Sequence, residues 1–409
     1  MDSPNLNRGI QLFEIGRYDD AIKYFQDAIT ENVDDFTAKY FLAQCYFQTE
    51  HIEKALKLAI ELRTISPNSE DIYLLLSQIY LHKDNDTEAL KNIDKAIELH
   101  PYNDDSFGQK AYIFLSQKKF EEALESANEG LSINPKSNFC LNARTTALTK
   151  LNRKEEAKSS IEYLLQDNPE DAYSHANAGW SHLENNDVEQ AAIHFKEALM
   201  LNPNLDFARS GMLTAIKSKN KIYNLYLRYA FWVSKKSEKN QWAFIIGLYI
   251  VYRLSLKLLS ASGLTYLAIP LIILYLLFAL GSWIMDPLSN MLLLFDKYGK
   301  YLLDKEEKTS GQILFALLTS SLILFGLSLL IQTDYLVVLS LSCLAALLPF
   351  SRSYLTDIKR SKYINLAYGS AMLLIAITGS LLGYPIEGFG LIIGVMFIAY
   401  TWLGNLIIK

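Results

Sequence analysis

In the first half of the chain, apolar positions recur at helical spacing, in pairs of short runs separated by polar breaks. Residues 71–83 show the pattern, with Ile72, Leu75, Leu76, Ile79 and Tyr80 on one helical face. Asp84, Asn85 and Asp86 interrupt it, and Ala89, Ile93, Ala96 and Ile97 mark a second helix that stops before Pro101. Ala21, Ala55, Ala89, Ala123, Ala157 and Ala191 fall 34 residues apart. Pro67, Pro101, Pro135, Pro169 and Pro203 keep the same interval, with Val33 in the first slot. Such a period predicts a helical repeat array, because one helix pair cannot bury its apolar face alone. The small alanine lets two helices approach, and the proline, which lacks a donor, separates neighbouring units.

The second half reads differently. Six apolar stretches, 242–259, 264–284, 313–331, 335–350, 363–382 and 389–408, approach the length needed to cross a hydrocarbon layer. The first contains Arg253 and Lys257, and the fourth is short. Segments 286–312 and 351–362 each hold four Lys/Arg, whereas 260–263, 332–334 and 383–388 hold none. Six spans place every basic segment on one side, as the positive-inside rule expects, with Arg253 and Lys257 snorkelling to the far interface. Three tight hairpins with both ends in the cytoplasm result. Asp286-Pro287 reads as the N-cap and first residue of an amphipathic helix over 286–304. Leu288, Met291, Leu292, Phe295 and Leu302 share one face of it, opposite Asp296, Lys297, Lys300 and Asp304.

Composition and charge sharpen this division. The 409 residues are 50% apolar and 20% charged, with a mean hydropathy of +0.09. Residues 1–216 carry 21 Lys+Arg against 35 Asp+Glu, whereas 217–240 carry 7 against 1. An acidic soluble part, a basic joint and a membrane part follow, which excludes intrinsic disorder, a disulfide mini-protein and a basic nucleic-acid-binding domain. Cys45, Cys140 and Cys343 lie far apart in apolar runs and read as buried reduced thiols. The opening residues, Met1 to Asn5, lack the basic and apolar regions of a secretory signal, so the acidic half is expected in the cytosol.

The units resemble the tetratricopeptide-repeat family over six consecutive repeats. Arg17 to Ala28, after Gly9 and Gly16, is the best single match. The small slot of the first helix holds Gly9, Ala43, Ser77, Ala111 and Gly179, with Thr145 departing in the fifth unit. The inter-helix glycine is Gly16 once, replaced by Asp84, Asn152 and Asn186, and by Glu50 and Lys118, which fit the slot less well. The resemblance implies an all-α solenoid over 2–204, followed by capping and basic juxtamembrane helices over 205–240 and a transmembrane domain over 241–409. It also implies a concave groove that takes peptides or partner helices. By register that groove shows Leu6, Ile10, Phe13, Tyr40, Gln44, Phe47, Gln48, Leu74 and Gln78, then Tyr112, Leu115, Phe139, Asn142, Tyr173 and Trp180. Phe13, Tyr40, Gln44, Phe47, Gln78, Tyr112, Phe139, Asn142, Tyr173 and Trp180 are the candidate binding residues, because aromatics supply contact area and amides pair with an extended backbone. A competing explanation is that some of these rings pack between units.

The family's clamp for acidic chaperone C-termini is not expected, since Lys150 is the exception among slots with almost no positive charge. Acidity favours basic or neutral partners and repels nucleic acid. His175 and His182 sit seven apart on one face with His194 nearby, but the ligand spacing of a metal site is absent. No phosphate loop, nucleophile elbow or zinc-protease signature occurs, so no catalysis, metal or cofactor is expected.

In the basic joint, Lys221, Arg228, Lys235, Lys236 and Lys239 flank apolar and aromatic runs, as in a helix lying on anionic lipid. Spans two to six carry no Asp, Glu, Lys, Arg or His in their interiors, which argues against transport chemistry. Ser320, Ser321, Ser340 and Ser342 read as helix–helix hydrogen-bonding groups, and Gly379/Gly383 and Gly390/Gly394 as faces for close packing or self-association, homo- or hetero-oligomeric. The expected function is a membrane-anchored scaffold that binds a protein partner in the cytosol. The alternative is a subunit of a transport, secretion or envelope-assembly complex whose membrane domain is itself functional. A bacterial inner membrane is the favoured location.

Overall fold

The computed structural model describes residues 3–407 apart from 237, 296–298 and 357; a few further side chains, Lys239 among them, also lie outside the described set. The first unit pairs α1 (Pro4–Glu14) with α2 (Tyr18–Glu31). The pairing repeats in α3 (Phe36–Gln48) and α4 (Ile52–Ile65), α5 (Glu70–His82) and α6 (Asp86–Leu99), and α7 (Asp104–Ser116) and α8 (Phe120–Ile133). It continues in α9 (Asn138–Lys150) and α10 (Lys154–Asp167), then α11 (Ala172–Glu184) and α12 (Val188–Leu201), and α13 (Asp206–Lys217) follows. Among the described residues there is no strand.

Each helix pair turns on one left-handed residue. Gly16, Glu50, Asp84, Lys118, Asn152 and Asn186 all have φ between 55° and 73°. The next N–H reaches back to close the same motif each time, Arg17 N to Leu12 O at 2.8 Å and Lys119 N to Phe114 O at 2.9 Å among them. Glu50 and Lys118 therefore make the same turn as Gly16. The Schellman hydrogen bonds hold the geometry even where the side chain does not favour it.

The periodic alanines are buried in every unit, none more than 1% exposed. The small slot is matched to what faces it: a Cβ on Gly9 would lie 2.6 Å from the Phe25 ring, and one on Gly179 2.7 Å from that of Phe195. Thr145 fits its slot because its hydroxyl donates to Ser160 Oγ at 2.9 Å, satisfying a group that is fully buried. Odd-numbered helices pack against the odd-numbered helix of the next unit, whereas even-numbered helices pack chiefly on their own partner and the following odd one. The odd-numbered helices thus line the inner face. α13 continues their row, with Ala208 joining Ala176 and Ala198 and Gly211 lying against Phe195.

By its packing the chain divides into two compact units, Met1–Met212 and Leu213–Lys409. The second holds α14 (Lys221–Ser234), α15 (Glu238–Ala261), a 3-10 turn at Thr265–Leu267, α16 (Ala268–Leu294) and the short α17 (Gly299–Leu302). It ends with α18 (Lys305–Ile331), α19 (Asp334–Ser353), α20 (Lys359–Leu381) and α21 (Ile386–Ile407). Among the described residues, Ala243–Ala261, Lys305–Ile331, Asp334–Ser353 and Lys359–Leu381 are long and apolar enough to cross a membrane, and Ile386–Thr401 is a shorter apolar helix. α16, which contains the expected second span, includes side chains outside the described set.

The sequence expectation for 286–304 needs correction. Asp286-Pro287 does not start a helix; α16 runs through Pro287 to Leu294. Proline deletes one helical hydrogen bond, but Ser289, Asn290 and Leu293 beyond it are buried, and that packing carries the helix onward. The cap lies at Asp304 instead, whose carboxylate accepts from Glu307 N at 2.8 Å while the Glu307 carboxylate accepts from Asp304 N at 3.1 Å. Asp296 and Lys297, assigned to the polar face, lie outside the described residues.

Of the serines expected to join helices, Ser321 and Ser340 link α18 to α19, whereas the Ser342 hydroxyl donates to Val338 O within α19. Ser321 Oγ donates to Ser340 O at 3.0 Å, and Ser340 Oγ returns a bond to Ser321 O at 2.9 Å. Gly379 lies against the Phe389 ring, where a Cβ would approach to 2.6 Å, and Gly383 makes the left-handed turn between α20 and α21. Gly390 and Gly394 face open space.

Candidate partner-binding groove

The inner face of the repeat array changes character along its length. Register places one residue from the middle of each odd-numbered helix beside one from the start of the next. In units two to four these pairs are Gln44 with Asp71 and Gln78 with Asp105; further on they become Tyr112 with Phe139 and Trp180 with Phe207. An acidic, amide-bearing stretch thus gives way to an aromatic one.

The aromatic stretch is continuous in its contacts. Tyr112 stacks on Phe139 with ring centroids 4.8 Å apart and planes 18° from parallel. Tyr173, whose side chain is also a partner of the Tyr112 hydroxyl, stacks on Phe207 at 5.4 Å. Trp180 lies over Phe207 at 5.8 Å, donates from Nε1 to the Phe207 carbonyl at 3.2 Å, and meets Phe195 edge-on at 5.6 Å. Tyr173 and Phe207 remain 41% and 37% exposed. Burial, with Tyr173 alongside, holds the Tyr112 hydroxyl well above its ordinary pKa, so it stays neutral.

In the acidic stretch Gln44 Nε2 donates to the Tyr40 hydroxyl at 2.8 Å. Burial and the carboxylates of Asp71 and Glu70 push Tyr40 up. Asp71 and Asp105 are themselves raised, first by burial and then by Glu70 and Asp104 respectively. The adjacent carboxylates Glu70 with Asp71 and Asp104 with Asp105 concentrate negative charge that an approaching cation relieves.

Other candidates have structural duties. Phe13 meets Tyr18 and Phe41 edge-on at 5.3 and 5.1 Å, joining the first two units. Phe47 packs edge-on against His82 at 5.9 Å, and Gln78 is half-buried on α5. Asn142 is only 3% exposed. Its amide donates to Asn138 O and Ser174 Oγ and accepts from Asn177 Nδ2 at 2.9 Å, so it is a strut between units and offers no free hydrogen bond to a peptide. Lys150, the exception among the groove slots, is paired with Glu184. Spacing alone did not reveal Phe207, because it stands beyond the last recognised repeat, although it holds the same register slot as Phe139 and Tyr173.

The three histidines do meet. His175 Nε2 donates to Pro169 O at 3.0 Å, which leaves its Nδ1 to accept from His194 Nδ1 at 3.3 Å. His182 stacks on His194 at 5.2 Å and approaches Asp187 at 3.4 Å. Burial, then His182 and His175, lower His194 to a pKa of about 4. Among the described residues no group of three or more His, Cys, Asp or Glu side chains is arranged to hold a metal ion.

In the second unit, Lys221 and Arg228 of α14 are exposed, and Lys236 lies 5.4 Å from the Trp232 ring. Lys235 is half-buried, and the Lys239 side chain lies outside the described residues. Tyr223 and Leu227 turn inward while Leu225 and Trp232 are exposed, 69% and 45%, so α14 presents cations and apolar groups to its surroundings together.

Profiles described as tetratricopeptide repeat match residues 12–79, 70–103, 104–137 and 172–205. Residues 138–171, the unit with Thr145 in the small slot, lie between matched segments. Among solved structures, a tetratricopeptide repeat protein from Parabacteroides merdae is 18% identical with a TM-score of 0.47, covering 52% of this chain and 83% of that one. The Cut9–Hcn1 hetero-tetramer of the APC/C is 17% identical with a TM-score of 0.44, covering 52% and 42%. YrrB, described as having an unusual peptide-binding site, is 20% identical with a TM-score of 0.32, covering 45% and 95%. No curated protein sequence matches the chain.

Proposed function

The first half of the chain is a tetratricopeptide-repeat array, and from that premise we propose a membrane-anchored scaffold that binds a protein partner in the cytosol along its inner groove. The observation that carries this reading is the row Tyr112, Phe139, Tyr173, Trp180 and Phe207, stacked across successive units and exposed at Tyr173 and Phe207. Aromatic area open to water at a groove is costly unless a partner covers it.

The partner is an extended or helical segment with two parts. Basic residues meet Asp71 and Asp105, and an apolar or aromatic portion lies over Tyr173 and Phe207. The apolar helices of the second half anchor the scaffold, with the cations of α14 on the headgroup side.

The test is a photo-crosslinking amino acid at Tyr173 in the full-length protein in its native membrane, with the exposed Ile193 on α12 as control. One partner captured from Tyr173 and not from Ile193, and lost on Phe207→Ala, supports the groove. Equal capture from both positions refutes it.

A further inference from the structure

Near one end of the second unit, polar side chains are buried without partners. Asn290 is fully buried, and neither its Nδ2 nor its Oδ1 has a hydrogen-bond partner. Ser351 is 1% exposed with its hydroxyl likewise unpartnered. Arg352, beside it, places its guanidinium 4.2 Å from the Trp283 ring, and its buried Nη1 has no partner. Among the described residues no carboxylate pairs with Arg352, while Lys362 pairs with Glu306 at 2.9 Å and Lys217 with Glu307 at 3.7 Å.

α16, α18 and α19 pack on one another around these groups. Trp283 and Asn290 lie two turns apart on one face of α16. Gly311 of α18 sits against the Asn290 backbone, where a Cβ would come within 2.9 Å of the carbonyl carbon. The neighbouring Ser310 donates to Ser351 O at 3.1 Å. Arg352 stands in the last turn of an apolar helix that ends at Ser353, at interfacial depth if α19 spans, and Lys359 and Arg360 are exposed just beyond.

A buried amide, hydroxyl and guanidinium without partners are costly, and such groups are ordinarily matched. Here the donors are a planar cationic fork, an amide N–H and a hydroxyl, the set that suits a tetrahedral oxyanion. We propose that Arg352, Asn290 and Ser351 form a binding site for a phosphate group, carried by the headgroup of a membrane phospholipid. Trp283 holds the guanidinium in place by stacking, and Asn290 Oδ1 accepts from a hydroxyl of the same headgroup. The lipid source rests on the bilayer placement proposed above; the phosphate chemistry does not.

The test is thermal unfolding of the full-length protein, delipidated in a non-ionic detergent and titrated separately with phosphatidylglycerol, a diacylglycerol of the same chains, and inorganic phosphate. Phosphatidylglycerol is expected to raise the midpoint, and diacylglycerol to leave it unchanged. Arg352→Gln should weaken the half-saturating lipid concentration by about tenfold or more. Asn290→Leu should raise the midpoint of the lipid-free protein while abolishing the lipid response, which keeps the test decisive if Arg352→Gln does not fold. Protection by inorganic phosphate equal to that by lipid assigns the same site to a free anion and removes the lipid. Equal responses to both lipids with none to phosphate, or wild-type responses in the foldable variants, overturn the proposal.

Discussion

The ring of Tyr112 lies against that of Phe139, centroids 4.8 Å apart, and Trp180 repeats the relationship on Phe207 two units further along. One register slot is therefore aromatic at Tyr112 and Trp180 and polar at Gln44 and Gln78, so the inner row changes chemistry along its length. The scaffold beneath is uniform, and what varies on it is what a partner would read.

Gly179→Ala tests the size matching of the small slot. A methyl group 2.7 Å from the Phe195 ring forces the two helices of the sixth unit apart. A loss of about 1–3 kcal/mol in denaturant unfolding is expected, whereas Ala43→Gly in the second unit should cost only about 1 kcal/mol, mostly helix propensity. Equal small effects at both sites would contradict the matching.

Glu50→Gly should stabilise the array. Glu50 holds φ at 60°, a left-handed conformation that costs a non-glycine residue about 1 kcal/mol. The side chain it would lose makes only an exposed contact with His82 at 3.1 Å. An unchanged or lower unfolding midpoint would show that this turn is not strained.

The histidine cluster predicts acid sensitivity in the sixth unit. His194 titrates near 4 in the folded state against 6.5 for an ordinary imidazole, so the unfolded chain binds more protons between those values. Stability from this group is complete above pH 6.5 and falls as pH drops towards 4, by on the order of 1–3 kcal/mol. Asp71 and Asp105, raised above 3.8, act in the opposite sense, losing stability as pH rises through their folded values. His194→Leu should flatten the wild-type decline between pH 7 and 5; a parallel profile would assign the decline elsewhere.

Most of the fold was legible because a repeat states each rule several times. Ala21 and its counterparts fix the helix contacts, and Pro67 and its counterparts the unit boundaries. Glu50 and Lys118 were harder to read because backbone hydrogen bonds, not residue preference, set those turns. Asp286-Pro287 misled because a local cap signal was outweighed by burial of Asn290 and Leu293, while the capping box of Asp304 and Glu307 stood in the sequence unused. The inner aromatics were visible by register. Which inner residues are closed off was not, since Asn142 is buried by its hydrogen bonds to Ser174 and Asn177 of the next unit.

Anchoring of the array by its second half is tested most directly by thiol accessibility in intact cells. Single cysteines are placed at the exposed positions Ser262, Gly388 and Lys359; Ser361, only 1% exposed, would be silent through burial alone. An impermeant thiol reagent is expected to label positions 262 and 388 in intact cells, and 359 only after the membrane is opened. Labelling at 359 in intact cells, with 262 and 388 protected, would contradict the account.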